Sequence, residues 1–305
     1  MSELAALSGA PVSSPALPRT VRGVVRDYLE LSKSRIVLMV LITTAAGFLA
    51  AAQRFDGLLL LHTLLGTALV AAGTNALNQY VEREDDAKMR RTRNRPLPAG
   101  RMTPRAALVF SSGIAILGTI YLAVAVNPLS AFLGAFTLTS YIFVYTPLKR
   151  ISTACTIIGA IPGAVPPLMG WAAATGALGA GGWIAFAILF FWQLPHFMAI
   201  SWIYREDYER AGFAMSSVRD GNGTSVARQA IFFSLALLAV SVLPSFIGMT
   251  GAVYLSGAVV CGAALFAASV GFFFERNNRT ARRLFMASNI YLLVIMVFLV
   301  VAARN

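Results

Sequence analysis

The stretch GLLLLHTLLGTALVAAGTNALNQYVEREDDAKMRRTRNRPLPAGR, residues 57–101, turns from an apolar run into a dense polar segment. Its first half is long enough to cross a bilayer, which takes about 20 apolar residues in a helix. Within residues 75–101 lie four acidic and seven basic side chains. Ionisable groups at membrane depth are costly and are commonly functional. The stretch therefore predicts a membrane helix that ends in a polar site.

The same apolar character runs along the whole chain. Of its 305 residues 57% are hydrophobic and 12% are charged, whereas a soluble domain carries about 25% charged residues. Runs long enough to span a membrane fall at nine places: 36–52, 57–79, 106–125, 129–147, 154–174, 182–204, 227–248, 252–274 and 284–303. We predict an all-α integral membrane protein with about nine transmembrane helices. Residues 1–26 are predicted to form a flexible cytoplasmic tail, and residues 27–305 a single polytopic membrane domain.

The positive charges predict the orientation of these spans. Of the 25 Lys and Arg residues, 23 fall in the N-terminal segment and in the connections after spans two, four, six and eight. Because positively charged loops stay cytoplasmic, the N-terminus is predicted to be cytoplasmic and the C-terminus to lie on the opposite side of the cell (inner) membrane. This distribution also explains the net charge of +12 as a topology signal, so no nucleic-acid partner is expected.

Four polar residues begin the loop after span two. Asn78, Glu82 and Asp86 are spaced by four, so on a continuing helix they share one face, with Asn75 a turn earlier. Amide and carboxylate oxygens are hard ligands, and Mg²⁺ usually takes few of them together with water and phosphate oxygens. The spacing therefore predicts a magnesium site at the cytoplasmic end of span two.

Basic residues follow the acidic ones. Arg91 and Arg95 are again four apart, just before Pro96, where the helix is predicted to end. Guanidinium groups hold phosphate oxygens in a bidentate way, so this pair suits a diphosphate. Glu84 and Asp85 point to other sides of the predicted helix and are interpreted as surface charges. The alternative for the whole loop is a solvated connector with weak ion pairs.

Span six supplies a second polar cluster. It ends in Glu206, Asp207 and Glu209, on the same predicted side as the first cluster. Two acidic clusters at corresponding places suggest two half-sites across one cavity. His196, about 12 Å deep at 1.5 Å per residue, is interpreted as a packing residue, a haem-iron ligand or a proton acceptor. His62, near the far end of span two, is interpreted as structural.

Several stretches together resemble the UbiA-type intramembrane prenyltransferases. They are NQYVEREDDAKMRRTRNRPLPAGR, GAIPGAVPPLMGW and WQLPHFMAI followed by EDYERAGFAM, and the similarity runs from about residue 27 to 303. The combination is most similar to the branch that prenylates haem. The resemblance implies a bundle of nine helices around a central cavity that opens to the cytoplasmic side. It also implies farnesyl transfer from farnesyl diphosphate to a vinyl group of haem b, giving haem O and diphosphate.

The resemblance further implies roles for individual residues. The Mg²⁺ ligands would be Asn78, Glu82, Asp86 and Asp207. The diphosphate would be bound by Asn78, Arg91, Arg95, Lys149 and Arg150. The catalytic group would comprise Asn75, Arg91, Arg95 and His196. Implied partners besides the two substrates are membrane lipid and a haem A synthase or oxidase assembly factors.

Two other functions stay open at this point. One is a prenyltransferase of the same family with a quinone precursor or another acceptor. The other is a non-enzymatic carrier of an anionic or haem-like solute, for which inverted repeats with helices broken at the midplane are expected. The polar groups gather at one predicted face instead, which favours an enzyme.

Overall fold

A computed structural model describes residues 20–302 of the chain. The helices of the first half are α1 (Val21–Leu31), α2 (Ser34–Ala51), α3 (Gly57–Val81), α4 (Arg83–Lys88), α5 (Pro104–Ala125), α6 (Pro128–Thr139), a π-helical turn (Ser140–Tyr145), α7 (Thr146–Leu148) and α8 (Cys155–Thr175). Those of the second half are α9 (Ala180–Ile203), α10 (Arg205–Ala211), α11 (Ser216–Arg219), α12 (Thr224–Ser241), α13 (Leu243–Phe246), α14 (Ala252–Phe274) and α15 (Asn278–Ala302).

Within residues 20–302, nine helical segments are long and apolar enough to cross a membrane. They agree with the nine predicted spans, so the prediction of an all-α membrane fold is confirmed. Neighbouring spans form a ring in the order α2, α3, α5, α6, α8, α9, α12, α14 and α15, which returns to α2. Short connections make consecutive spans antiparallel neighbours, as in other helical bundles.

Local signals set where several spans begin. Thr103 accepts a hydrogen bond from the backbone N–H of Ala106, and Asn127 accepts one from Ser130. Each cap is followed by a proline in the first helical turn, where the missing N–H would have no helical partner. Asp56 caps α3 in the same way through Leu59. The apolar runs therefore start as helices at positions that the sequence itself specifies.

Helices α2 and α8 approach so closely that only glycine fits between them. A Cβ atom added to Gly170 would fall on the carbonyl oxygen of Thr44, and one added to Gly47 would fall on the carbonyl oxygen of Pro167. Small residues at such crossings let helix backbones touch in membranes, where packing replaces the hydrophobic driving force. The crossing joins α2 to α8 across the ring. It lies in the second half of α2, away from the end of that helix that follows Lys33.

Helix α1 packs at the polar end of the bundle, where α3 ends. Arg101 pairs with Asp27 and, at 2.9 Å, with Glu30. The amide of Gln79 donates to the backbone oxygens of Glu30 and Leu31 at 3.0 and 2.7 Å. The predicted tail, residues 1–26, lies largely outside the described residues, and its last residues belong to α1.

The helix predicted to continue through Arg95 is shorter than expected. Helix α3 ends at Val81, and α4 resumes at Arg83 and ends at Lys88. Residues 89–102 form turns. The reason is local: the prolines at 96 and 98 deny helical hydrogen bonds, and the side chain of Asp207 takes two backbone N–H groups of this segment (below).

Candidate active site

The polar row predicted at the end of α3 is present and buried. The exposed fractions of Asn78, Glu82 and Asp86 are 1, 6 and 1%. Asn75 is also buried, and its amide nitrogen donates to the backbone oxygen of Ala71 at 3.0 Å. Buried carboxylates need compensating partners, so the contacts of this row show what chemistry it is arranged for.

The first member of the row is held by a lysine that lies between two helices. Lys33 Nζ donates to Asn78 Oδ1 at 2.8 Å, and Asn78 Nδ2 donates to Thr146 Oγ1 at 3.3 Å. Lys33 has φ 51°, and it is the one non-glycine residue between 20 and 302 with a left-handed backbone. Such a conformation is uncommon and tends to occur at functional positions. It bends the chain between α1 and α2 beside Asn78.

Each carboxylate of the row is paired with a different cation. Lys149 Nζ lies 2.6 Å from Glu82 Oε1, and Arg95 Nη1 lies 2.7 Å from Asp86 Oδ2. Lys149 also lies over the ring of Tyr145, 4.6 Å from its centroid. Three cations thus come from three separate parts of the chain to three consecutive oxygen donors.

The two lysines have opposite pKa shifts. Burial lowers the pKa of Lys33 to about 7, and the charges of Arg95 and Lys149 act in the same direction against the opposing effect of Glu82. Burial alone would also lower the pKa of Lys149, but the adjacent Glu82 carboxylate raises it well above its ordinary value. The difference follows from their partners, because Lys149 faces a carboxylate, whereas Lys33 donates to the neutral amide of Asn78.

One carboxylate oxygen of the row has no hydrogen-bond partner. Asp86 Oδ1 is buried and has no hydrogen-bond partner, although such atoms are nearly always satisfied. Among residues 20–302 no three His, Cys, Asp or Glu side chains converge on one point as a complete metal cage. Mg²⁺ needs no such cage, because it usually takes one or two carboxylates and completes its shell with water and phosphate oxygens. The donor set therefore fits Mg²⁺ carried by a diphosphate.

Asp207 lies at the same end of the bundle and binds the arginine loop, residues 89–102, which follows α4. Its carboxylate accepts the backbone N–H of Arg90 at 3.0 Å and of Arg91 at 3.3 Å. Arg210 Nη1 lies 2.6 Å from the same carboxylate. Both oxygens are engaged, so Asp207 positions the segment that carries Arg91. Glu206 and Glu209 are exposed.

The prediction for the two acidic residues beside the row is half confirmed. Glu84 is exposed, with 76% of its side chain accessible. Asp85, predicted as a surface charge, is 2% exposed, so that prediction is wrong. Its buried carboxylate is compensated by ion pairs with Arg150 and Lys88. Arg150 is thereby directed to Asp85, with 57% of its side chain accessible.

A cavity of about 630 Å³ opens where α1, α2 and the arginine loop meet. Five of its lining residues are cations and one is an acid, Glu30, which is paired with Arg101. The cations are Arg26, Lys33, Arg35, Arg91 and Arg95. The guanidinium of Arg91 lies over the ring of Tyr204 at 5.0 Å. A cavity with this lining attracts a strongly anionic group.

His196 lies on α9 against α15, away from the acidic row. Its Nδ1 is 2.9 Å from Ser288 Oγ. Its ring lies 4.8 Å from the ring of Trp192 and 4.9 Å from that of Phe285, centroid to centroid, at interplanar angles of 28 and 32°. Of the other aromatic residues of α9, Trp202 packs into the core against Phe272.

Sequence reasoning missed Lys33, Thr146 and Ser288. Lys33 was counted only as a topology charge, and its backbone conformation cannot be read from LSKSRI. The hydroxyls of Thr146 and Ser288 stand inside apolar runs, where most serines and threonines bond to their own helix. The one signal in the sequence for these three residues is a charged residue close to the start of an apolar span, which is the position of Lys33.

The family model described as the UbiA prenyltransferase family matches residues 39–296. Curated relatives cover nearly the whole chain. A protoheme IX farnesyltransferase of Solibacter usitatus is 47% identical over 277 residues, which span 88% of this chain and 95% of the relative. One from Anaeromyxobacter sp. is 42% identical over 295 residues, which span 97% and 99%.

Solved structures share the fold at low identity. A digeranylgeranylglyceryl phosphate synthase has a TM-score of 0.77 at 20% identity, covering 92% of this chain and 98% of its own. A UbiA homologue from Archaeoglobus fulgidus, bound to GPP and Mg²⁺, has a TM-score of 0.63 at 15% identity, covering 90% and 99%. The matched family model, the identity to the curated relatives and the fold shared with the solved structures lead to one conclusion: this chain belongs to the UbiA prenyltransferase family.

Proposed function

We propose that this protein transfers a farnesyl group from farnesyl diphosphate to a vinyl group of haem b, giving haem O and diphosphate. The observation that carries the proposal is the buried row of oxygen donors, each held by a cation, beside a cationic cavity. That arrangement suits a metal-bound diphosphate. The names of the curated relatives support haem as the acceptor and farnesyl as the donor.

Mg²⁺ would be held by Asn78, Glu82 and Asp86, with the free Asp86 Oδ1 as the most available protein ligand. When bound, the ion neutralises charge on the diphosphate and so makes it a better leaving group. The bound GPP and Mg²⁺ of the Archaeoglobus fulgidus homologue support the same requirement in the family. Asp207 supports this site by holding the loop of Arg91.

The cations bind and stabilise the leaving diphosphate. Lys33, Arg91 and Arg95 line the cavity, and Lys149 lies at Glu82. As the allylic C–O bond breaks, both electrons stay on the diphosphate, and preorganised positive charge is worth most where charge develops. Arg150, which pairs with Asp85, contributes through the electrostatic field of its positive charge at the edge of the site. Asn75, one turn before Asn78 on α3, would add an amide oxygen to the row, since its amide nitrogen donates to the backbone oxygen of Ala71.

The acceptor side is apolar. The allylic cation adds to the vinyl carbon of the haem, and water then supplies the hydroxyl of the hydroxyethylfarnesyl group with loss of one proton. Until the new C–C bond forms, water must be kept away, which the aromatic face of α9 around Trp192 and His196 can do. His196 offers a nitrogen lone pair to the haem iron or to the released proton.

The test is mass spectrometry of haem recovered after the purified protein is incubated with haem b, farnesyl diphosphate and Mg²⁺. A shift to the mass of haem O is expected, with equimolar diphosphate, and chelation by EDTA is expected to abolish it. Unchanged haem b together with prenylation of a quinone precursor under the same conditions would overturn the acceptor. If neither haem b nor farnesyl diphosphate is consumed, the result would favour a non-enzymatic carrier.

We also propose the orientation and partners. The excess of Lys and Arg in the connections at the polar end supports a cytoplasmic location for that end and for the N-terminus. The C-terminus then lies on the opposite side of the cell inner membrane. A haem A synthase or an oxidase assembly factor is the expected recipient of haem O, because the product is poorly soluble in water and needs handing on.

A further inference from the structure

Ser288 is buried on α15 at the point where α9 packs against it. Its exposed fraction is 0%. Its hydroxyl donates to the backbone oxygen of Phe285 at 2.7 Å, and the same oxygen lies 2.9 Å from His196 Nδ1. The serine therefore has two polar neighbours, one of which can only accept a hydrogen bond.

A serine hydroxyl has a single hydrogen to donate. The contact with the carbonyl of Phe285 is the shorter one, at 2.7 Å against 2.9 Å for His196, which favours that carbonyl as the acceptor of the hydrogen. With the hydrogen directed there, the contact with His196 requires the imidazole to be the donor. A neutral imidazole that carries its proton on Nδ1 has a lone pair on Nε2. The hydrogen-bond inventory at Ser288 thus selects one of the two tautomers of His196.

The orientation of the ring is fixed by the same part of α15. Trp192, one turn before His196 on α9, donates its indole N–H to the backbone oxygen of Ser288 at 2.5 Å. The rings of Trp192 and Phe285 both lie against the imidazole. Two hydrogen bonds to one residue, together with these ring contacts, leave the imidazole little freedom to turn.

We propose that Ser288 is a positioning residue that holds His196 as its Nδ1–H tautomer and so presents an unprotonated Nε2 to the acceptor. The assignment of the tautomer stands on the contacts of Ser288 alone, whereas the use of Nε2 toward haem rests on the proposed function. Removal of the partner that fixes the tautomer of a metal-ligating histidine typically costs about 10–100-fold in metal affinity or activity.

The direct test is nitrogen-15 NMR of the full-length protein with labelled histidine. The chain has two histidines, so His62→Gln leaves His196 as the single signal. The expected spectrum has a protonated Nδ1 and an unprotonated Nε2. Ser288→Ala is expected to shift His196 toward the other tautomer or a mixture, and Ser288→Thr to restore the original one. The measurement needs no turnover, so it separates this proposal from the proposed function.

Ser269→Ala on α14 is the matched control. Ser269 is likewise 0% exposed and donates to a carbonyl of its own helix, that of Leu265, at 3.1 Å. It should leave both the tautomer and turnover unchanged, whereas Ser288→Ala should lower kcat about tenfold. An Nε2–H tautomer in the protein with Ser288 intact would overturn the proposal without any variant. So would an unchanged His196 spectrum in Ser288→Ala.

Discussion

The chemistry proposed for this protein depends on a few pairs of residues at one end of α3. Each oxygen donor of the row meets a cation from another element, and the pairs are short, at 2.6–2.8 Å. A buried carboxylate without its cation would be costly. On the proposed function, the same cations also bind the diphosphate, so that one set of side chains would both stabilise the fold and recognise the substrate.

Asp86→Asn tests the metal ligand. The substitution keeps the volume and removes the charge that Arg95 and Mg²⁺ share, so we expect kcat/KM to fall about 100-fold or more. The half-saturating Mg²⁺ concentration should rise as well. Glu84→Gln is the control, since Glu84 is an exposed acid two residues away. Turnover of Asp86→Asn within about twofold of the parent would contradict the assignment.

Lys33→Met tests the cation that sequence reasoning missed. Loss of a charge-assisted hydrogen bond of about 1.5–3 kcal/mol predicts that KM for farnesyl diphosphate rises by roughly an order of magnitude or more. Initial rates over a range of the diphosphate measure it. Lys88→Met is the control because 54% of the Lys88 side chain is accessible and Lys88 does not line the cavity. Equal effects of the two substitutions would show that only net charge matters.

At the scale of elements, close helix contacts determine where the site lies. The glycine crossing of α2 and α8 brings the start of α2, with Lys33 just before it, beside α3. The π-helical turn at Ser140–Tyr145 precedes Thr146 and Lys149. Such turns are rare and are found mainly at functional sites. Here the turn changes the helical register just before Thr146 and Lys149, which contact Asn78 and Glu82.

Gly170→Leu tests the crossing. The added side chain would collide with backbone atoms of α2 around Thr44, and overpacking of this kind costs about 1–3 kcal/mol or more. We expect a lower Tm, measured in a Cys261→Ala background by the reaction of a thiol dye with Cys155, which is buried. Gly113→Leu on α5 has open space at its Cβ position and should leave Tm nearly unchanged. A similar Tm for both would show that the crossing tolerates separation.

At the scale of the whole molecule, the ring of nine described spans puts most of the charged connections at one end, while the connection with Arg54 and Asp56 lies at the other. Odd numbers of spans place the two termini on opposite sides of the membrane. Reporter fusions in a bacterial host test this: a fluorescent protein at the N-terminus should be bright, and alkaline phosphatase at the C-terminus should be active. An active phosphatase at the N-terminus would reverse the proposed orientation.

The sequence alone determined the class and the spans of this fold. Apolar runs of about 20 residues can satisfy their backbone in a bilayer only as helices, so length and composition were sufficient. The row of Asn78, Glu82 and Asp86 was also predictable, because helical periodicity places residues four apart on one face. Glu84 as an exposed charge followed from the same rule.

Only the tertiary structure decided the partners of that row. Asp85 is adjacent to Asp86 in sequence, yet it is buried by Arg150, which comes from a loop 65 residues away. Lys33 and Lys149 reach the site from α2 and the end of α7, and Ser288 reaches His196 from α15. Periodicity describes one helix at a time. Which cation meets which oxygen depends on how separate helices cross, and that is set by packing between residues far apart in the chain.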